Sequence, residues 1–209
     1  MNSEIQKDLI VLVADKDMEQ AVKALLKRHE SLRIRQDITF DVLVDPGHDP
    51  KVFLRAHEFL RPYQNQYRYC LVMFDRIGSG QEDRSAKNLE DEVQSRLEKA
   101  GWRGRCAVVV LDPELEVWVF VDSPRVAEVI ARCDEDLVNK KKKCDVDLST
   151  GKPNHPKEVM REILNEKRIP WSSALHGKLA EKVSLAKCQD KAFKKFSEVL
   201  RSWFPPKTG

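Results

Sequence analysis

Nine carboxylates stand just behind the apolar runs of this 209-residue chain, and they are its best candidates for chemistry. Asp15, Asp17 and Glu19 follow Leu9–Val13, and Asp45 and Asp49 follow the run 38–44. Asp75 follows the run 69–74, and Asp112, Glu114 and Glu116 follow the run 106–111. Carboxylates gathered in one place repel one another, and a hard divalent cation turns that repulsion into binding. Mg²⁺ or Mn²⁺ accepts one or two carboxylates together with waters and phosphate oxygens, which suits phosphoryl transfer or phosphodiester hydrolysis. Asp15, Asp17, Asp75, Asp112 and Glu116 are the metal-ligand candidates. Asp75, Glu116, Asp15 and Glu19 are the catalytic ones. The plainer role for an Asp behind a strand is to cap the next helix, as Asp15 or Asp17 and Asp112 could each do.

Other motifs say less. Gly78-Ser79-Gly80 could present backbone N–H groups to a phosphate, but no P-loop lysine follows, and a loop is the simpler reading. Asp45-Pro46-Gly47-His48-Asp49 contains metal-ligand types, yet its proline and glycine more simply make a tight turn. Trp118, at helical spacing from Leu115, reads as core. No Ser–His–Asp or Cys–His spacing supports a hydrolase triad. Five scattered cysteines without a CxxC pair fit reduced thiols.

The elements that must carry the carboxylates are four short apolar runs rich in β-branched residues, as in strands buried on both faces. Helical spacing separates them at 18–29, 52–60 and 86–100, with shorter helical pieces at 113–121 and 124–133. Strands alternating with helices predict an α/β fold: a TOPRIM/Rossmann-like open sheet of about four parallel strands with flanking helices. Parallel strands put all their carboxyl ends on one rim, where ligands of open sheets bind. Residues 1–139 form the expected α/β domain. Residues 140–209 form a basic linker and a helical appendage packed on it, with helical spacing at 156–167, 173–185 and 188–203.

Charge divides the same way. Residues 140–209 hold 17 Lys/Arg against 8 Asp/Glu, leaving 20 against 26 in residues 1–139, so the net +3 averages a +9 tail and a −6 body. Lys140, Lys141, Lys142, Lys143 and Lys157, with Lys187, Lys191, Lys194 and Lys195 beyond them, form a field that would attract a nucleic-acid backbone. A solvated helix face or docking on an acidic protein surface are the alternatives. Few aromatics are interleaved for base stacking, so duplex DNA or a protein complex is preferred over single strands. No run reaches the length of a membrane span, and Met1–Asp8 lacks an apolar signal core, which predicts a cytoplasmic location with no membrane partner.

The strand–acid–helix opening, Phe74-Asp75, and the stretch from Asp112-Pro113-Glu114 to Val117-Trp118-Val119-Phe120 resemble TOPRIM-like proteins. They are most similar to a prokaryotic family of unknown function related to the nuclease domains of overcoming-lysogenization-defect proteins. The opening from Leu9 to Glu19 is also similar to a small component of the methylation-associated phage-defence system. The resemblance implies an antiviral-defence role, a Mg²⁺- or Mn²⁺-dependent nuclease site and defence-system protein partners. Two positions depart from the pattern: Ala14 stands where the TOPRIM glutamate belongs, and Ile77 replaces the second acid of a D-x-D pair. Asp15, Asp17 or Glu19 could serve for the first, and Glu116 or Asp112 could supply another ligand. Two functions stay open: a metal-dependent nuclease or phosphoryl-transfer site, or a catalytically inactive scaffold subunit on the same fold.

Overall fold

A computed structural model describes residues 6–121, 123–144, 146–147, 151–185 and 188–206; Lys187 and the side chain of Lys152 lie outside what is described. The core is a sheet of β1 (Lys7–Val13), β2 (Phe40–Val44), β3 (Tyr67–Asp75) and β4 (Cys106–Leu111), all parallel in the order β2-β1-β3-β4. This is the expected α/β open sheet. Between β1 and β3 the strand order reverses, so their carboxyl ends flank the crevice in which such sheets take ligands.

Alternation along the strands explains the layers, because successive side chains point to opposite faces. Leu9, Val11 and Val13 of β1 pack with Leu71, Met73, Val109 and Leu111 on one face, under α1 (Lys16–Leu26). Ile10, Leu12, Cys70, Val72 and Phe74 pack on the other, under α3 (His48–Leu60) and α4 (Ala86–Leu97), which supply Val52, Phe53, Leu89 and Val93. A one-turn α2 (His29–Leu32) joins α1 to β2.

The region after β4 closes the structure. A single 3₁₀ turn, Leu115–Trp118, leads to α5 (Pro124–Ile130) and α6 (Glu135–Lys142), then to a two-residue hairpin of β5 (Val146–Asp147) and β6 (Lys152–Pro153). Helices α7 (Pro156–Glu166), α8 (Ser173–Lys182) and α9 (Lys191–Trp203) follow. The lysine run does not lie in a linker: Lys140, Lys141 and Lys142 make the last turn of α6, where cations meet the negative end of the helix dipole.

Helix α9 covers the sheet face shared with α1. Phe193, Phe196, Leu200 and Phe204 join the strand core, and Tyr69 of β3 stacks on Trp203 at 4.6 Å. Helix α8 lies along α1, and Leu175, Leu179 and Val183 belong to a further core with α5 and α7. The basic segment is thereby packed on the acidic body of its own chain. Lys195 pairs with Glu90, Lys182 with Glu128, and Lys167 with Asp134, while Lys141 pairs with Glu162 inside the segment.

Candidate functional site

Asp75 is the last residue of β3 and is 4% exposed. The 3₁₀ turn after β4 brings two more carboxylates to it. Leu115, Val117 and Trp118 are drawn into the core, so Glu114 and Glu116 are held on the rim at 7% and 1% exposure. Trp118 fixes the turn by packing on Phe193 and by donating its Nε1–H to Asp190 Oδ1 at 2.8 Å. The same Asp190 oxygen accepts from Phe193 N and caps α9. Core packing thus positions the site.

One oxygen from each of Asp75, Glu114 and Glu116 can be chosen so that all lie within 4.8 Å of one another. Asp75 Oδ1 and Glu116 Oε2 are buried and have no hydrogen-bond partner among the described residues. Such acceptors carry a desolvation cost of about 1–3 kcal/mol each, more when charged. The donor set is all oxygen and gathered within 4.8 Å, so these three residues could hold a metal ion.

Without a cation, Asp75 and Glu114 hold their protons more tightly than ordinary carboxyls. Burial pushes the Asp75 carboxyl well above its ordinary value, and Asp49, Glu116 and Asp15 push it further, with Lys157 opposing. Glu114 is pushed up to about 7, first by burial and then by Glu116, with Lys157 again opposing. Lys157, in the first turn of α7, reaches the cluster with its Nζ 3.8 Å from Glu114 Oε2. Burial would lower its pKa, but the charges of Glu116, Asp75, Glu114 and Asp15 outweigh this and raise it. On the other side Asp49 accepts the Asp75 backbone N–H at 2.7 Å, and burial holds its own carboxyl up.

The remaining expected residues divide. Asp15 caps α1, accepting from Met18 N at 2.8 Å, and still adds its charge to Asp75. Asp17 sits beside Glu116 rather than Asp75. Two candidates are not brought in. Glu19 is held by Lys23 one helical turn on, at 2.6 Å, and Asp112 is drawn outward by Arg76 at 2.7 Å. Lys140 is exposed in the last turn of α6 and Lys143 just beyond it, whereas Lys157 points inward and Lys141 is engaged by Glu162. His48 is exposed at the start of α3, and Trp118 is core, as its spacing suggested. Ala14 is fully buried among the α3-side core residues, where a glutamate would meet apolar neighbours. The Gly78 and Gly80 N–H groups do present themselves to an anion, but it is the chain's own Glu82 Oε1, at 2.9 and 3.0 Å.

Glu114, two residues from Asp112, is the carboxylate that joins the cluster in its place. His176 of α8 was not foreseen at all: it is 2% exposed, and its Nε2 lies 3.2 Å from Glu116 Oε1. A histidine on the apolar face of a helix carries no local signal that distinguishes a site residue from core.

Compared with protein families, curated proteins and solved structures, the chain has no match in any of the three. Fold and site therefore define it as a parallel α/β protein with a buried cluster of carboxylates at the crevice of its sheet.

Proposed function

We propose that the chain is a divalent-metal protein of the phosphoryl-transfer class, holding Mg²⁺ or Mn²⁺ on Asp75, Glu114 and Glu116 and acting on a phosphodiester. The observation that carries this reading is the pair of buried oxygens, Asp75 Oδ1 and Glu116 Oε2, that have no hydrogen-bond partner among the described residues and lie in a three-carboxylate cluster. A bound divalent cation would polarise a phosphate oxygen and lower the pKa of a coordinated water. Lys157 neutralises the cluster while no cation is bound. Its ammonium is positioned to turn to a phosphate once a cation takes over that task. His176 hydrogen-bonds Glu116 and fixes the orientation of that carboxylate, and the Asp75 amide does the same for Asp49. The exposed Lys140 and Lys143 would lead a duplex backbone toward the rim. Antiviral defence, as the biological setting, rests on the sequence resemblance alone.

Burial favours a second reading. Asp75, Glu114 and Glu116 admit an ion more readily than a phosphodiester, which fits a scaffold subunit whose cluster stabilises the fold without cutting. Plasmid cleavage with Mn²⁺ separates the two. The nuclease reading expects nicking or linearisation that is lost in Asp75→Asn and in chelator. Metal binding without cleavage of any nucleic acid would favour the scaffold, and cleavage that survives Asp75→Asn would place catalysis elsewhere.

A further inference from the structure

Among the described residues His176 is the only buried histidine. It lies between carboxylates from two elements distant in sequence: Nε2 is 3.2 Å from Glu116 Oε1, and Nδ1 is 3.8 Å from Asp17 Oδ1. A neutral imidazole has one N–H and one lone pair, so only one of these contacts can be a hydrogen bond from the ring. Its Nδ1 is buried with no hydrogen-bond partner among the described residues. Asp17 is held in place from outside the group, because its Oδ2 accepts the Trp171 Nε1–H at 2.8 Å. One donor atom each from Asp17, Glu116 and His176 can be chosen within 4.8 Å of one another. The ring also borders a small apolar cavity lined by Leu115, Trp118, Leu179 and Val183, and such a shell limits solvent access to a bound ion.

The geometry points to a second metal site, formed by Asp17, Glu116 and His176 and sharing Glu116 with the first. It rests on the reading of Glu116 as a ligand of the three-carboxylate site. The two sites differ in chemistry. Asp75, Glu114 and Glu116 offer only oxygen and suit Mg²⁺ or Mn²⁺. An imidazole with two carboxylates suits Mn²⁺, Fe²⁺, Co²⁺ or Zn²⁺ and discriminates against Mg²⁺. The site takes its parts from α1, the 3₁₀ turn and α8. An ion there would tie the C-terminal helices to the sheet.

Co²⁺ titration of the full chain, followed by visible absorption and by Trp171 fluorescence, tests this directly, since Trp171 stands 5.3 Å from the His176 ring. The expectation is two equivalents of Co²⁺, of which excess Mg²⁺ displaces one. His176→Ala should lose the Mg²⁺-resistant equivalent, with binding there weakened at least about 100-fold, while Asp75→Asn should lose the other. Asp17→Asn provides the same test without removing a buried ring, and circular dichroism establishes that each variant is folded. One Co²⁺ fully displaced by Mg²⁺, or an unchanged spectrum in both His176→Ala and Asp17→Asn, overturns the second site and leaves the first standing. No binding of Co²⁺, Mn²⁺ or Mg²⁺ to the wild type overturns both.

Discussion

Replacing Glu114 by Gln keeps the shape of the side chain and removes its charge, and the consequence should depend on pH. In the folded chain the Glu114 carboxyl is pushed up to about 7, against an ordinary value of 4.5. Because the folded state holds this proton more tightly than the unfolded state, the group does not penalise folding below about pH 4.5. As pH rises toward 7 the unfolded chain ionises first, and stability falls until the folded carboxyl ionises as well. Above 7 the full penalty is present. At 1.36 kcal/mol per pKa unit, a rise of about 2.5 units corresponds to about 3 kcal/mol. In chelator, Glu114→Gln should match the wild type to within about 1 kcal/mol at pH 5, because the folded carboxyl is still protonated there and the unfolded one has only begun to ionise. By pH 8.5 the variant should be more stable by about 2–3 kcal/mol. Urea unfolding at several pH values, with all carboxylates other than Glu114 intact, measures this difference. Mn²⁺ at 100 times its Kd should cancel the difference, since it stabilises the folded state by about 2.7 kcal/mol, and at 1,000 times its Kd, where the gain is about 4.1 kcal/mol, the order should reverse. A difference that does not change with pH would refute the idea that Glu114 is ionised against burial and a neighbouring carboxylate.

Lys157→Ala should tighten Mn²⁺ binding by about tenfold or more at pH 7, because a competing cation is removed, while any cleavage activity falls; weaker metal binding would mean the lysine supports the ion rather than stands in for it. Phe196→Ala should destabilise the whole chain by about 3–5 kcal/mol in a single unfolding transition, because the ring is fully buried against the sheet; a separate early transition for the C-terminal helices would contradict their place in the core. If DNA is the partner, neutralising Lys140 and Lys143 should lower the slope of log affinity against log salt by about one per lysine, and an unchanged slope would remove α6 from the interface.

Much of the fold was legible because its signals are local. The run Leu9–Val13, the helical spacing of Phe193, Phe196 and Leu200, and the acids behind each strand all lie within a few residues of one another. The position of Asp75 followed from parallel topology alone, since parallel strands share a rim. The choice between Asp112 and Glu114 was not legible. It depends on Arg76 pairing with one of them and on Trp118 pulling the 3₁₀ turn inward, both contacts between distant segments. Lys157 read as surface charge because nothing near it in sequence indicates that α7 begins over the carboxylates. His176 meets Glu116 across 60 residues, so its role became visible only when α8 was placed on α1. The lysines at 140–142 read as a linker because their net charge hides the helix they terminate.

The central claim is that Asp75, Glu114 and Glu116 form a cation site, and calorimetric Mn²⁺ titration at pH 8 tests it most directly. The wild type should bind Mn²⁺ and release protons, as shown by a heat that varies with the ionisation enthalpy of the buffer. Asp75→Asn and Glu116→Gln, each verified as folded, should bind at least about 100-fold more weakly, a loss of about 2.8 kcal/mol. No heat and no change in melting temperature with the wild type, or undiminished binding in both variants, would contradict the account.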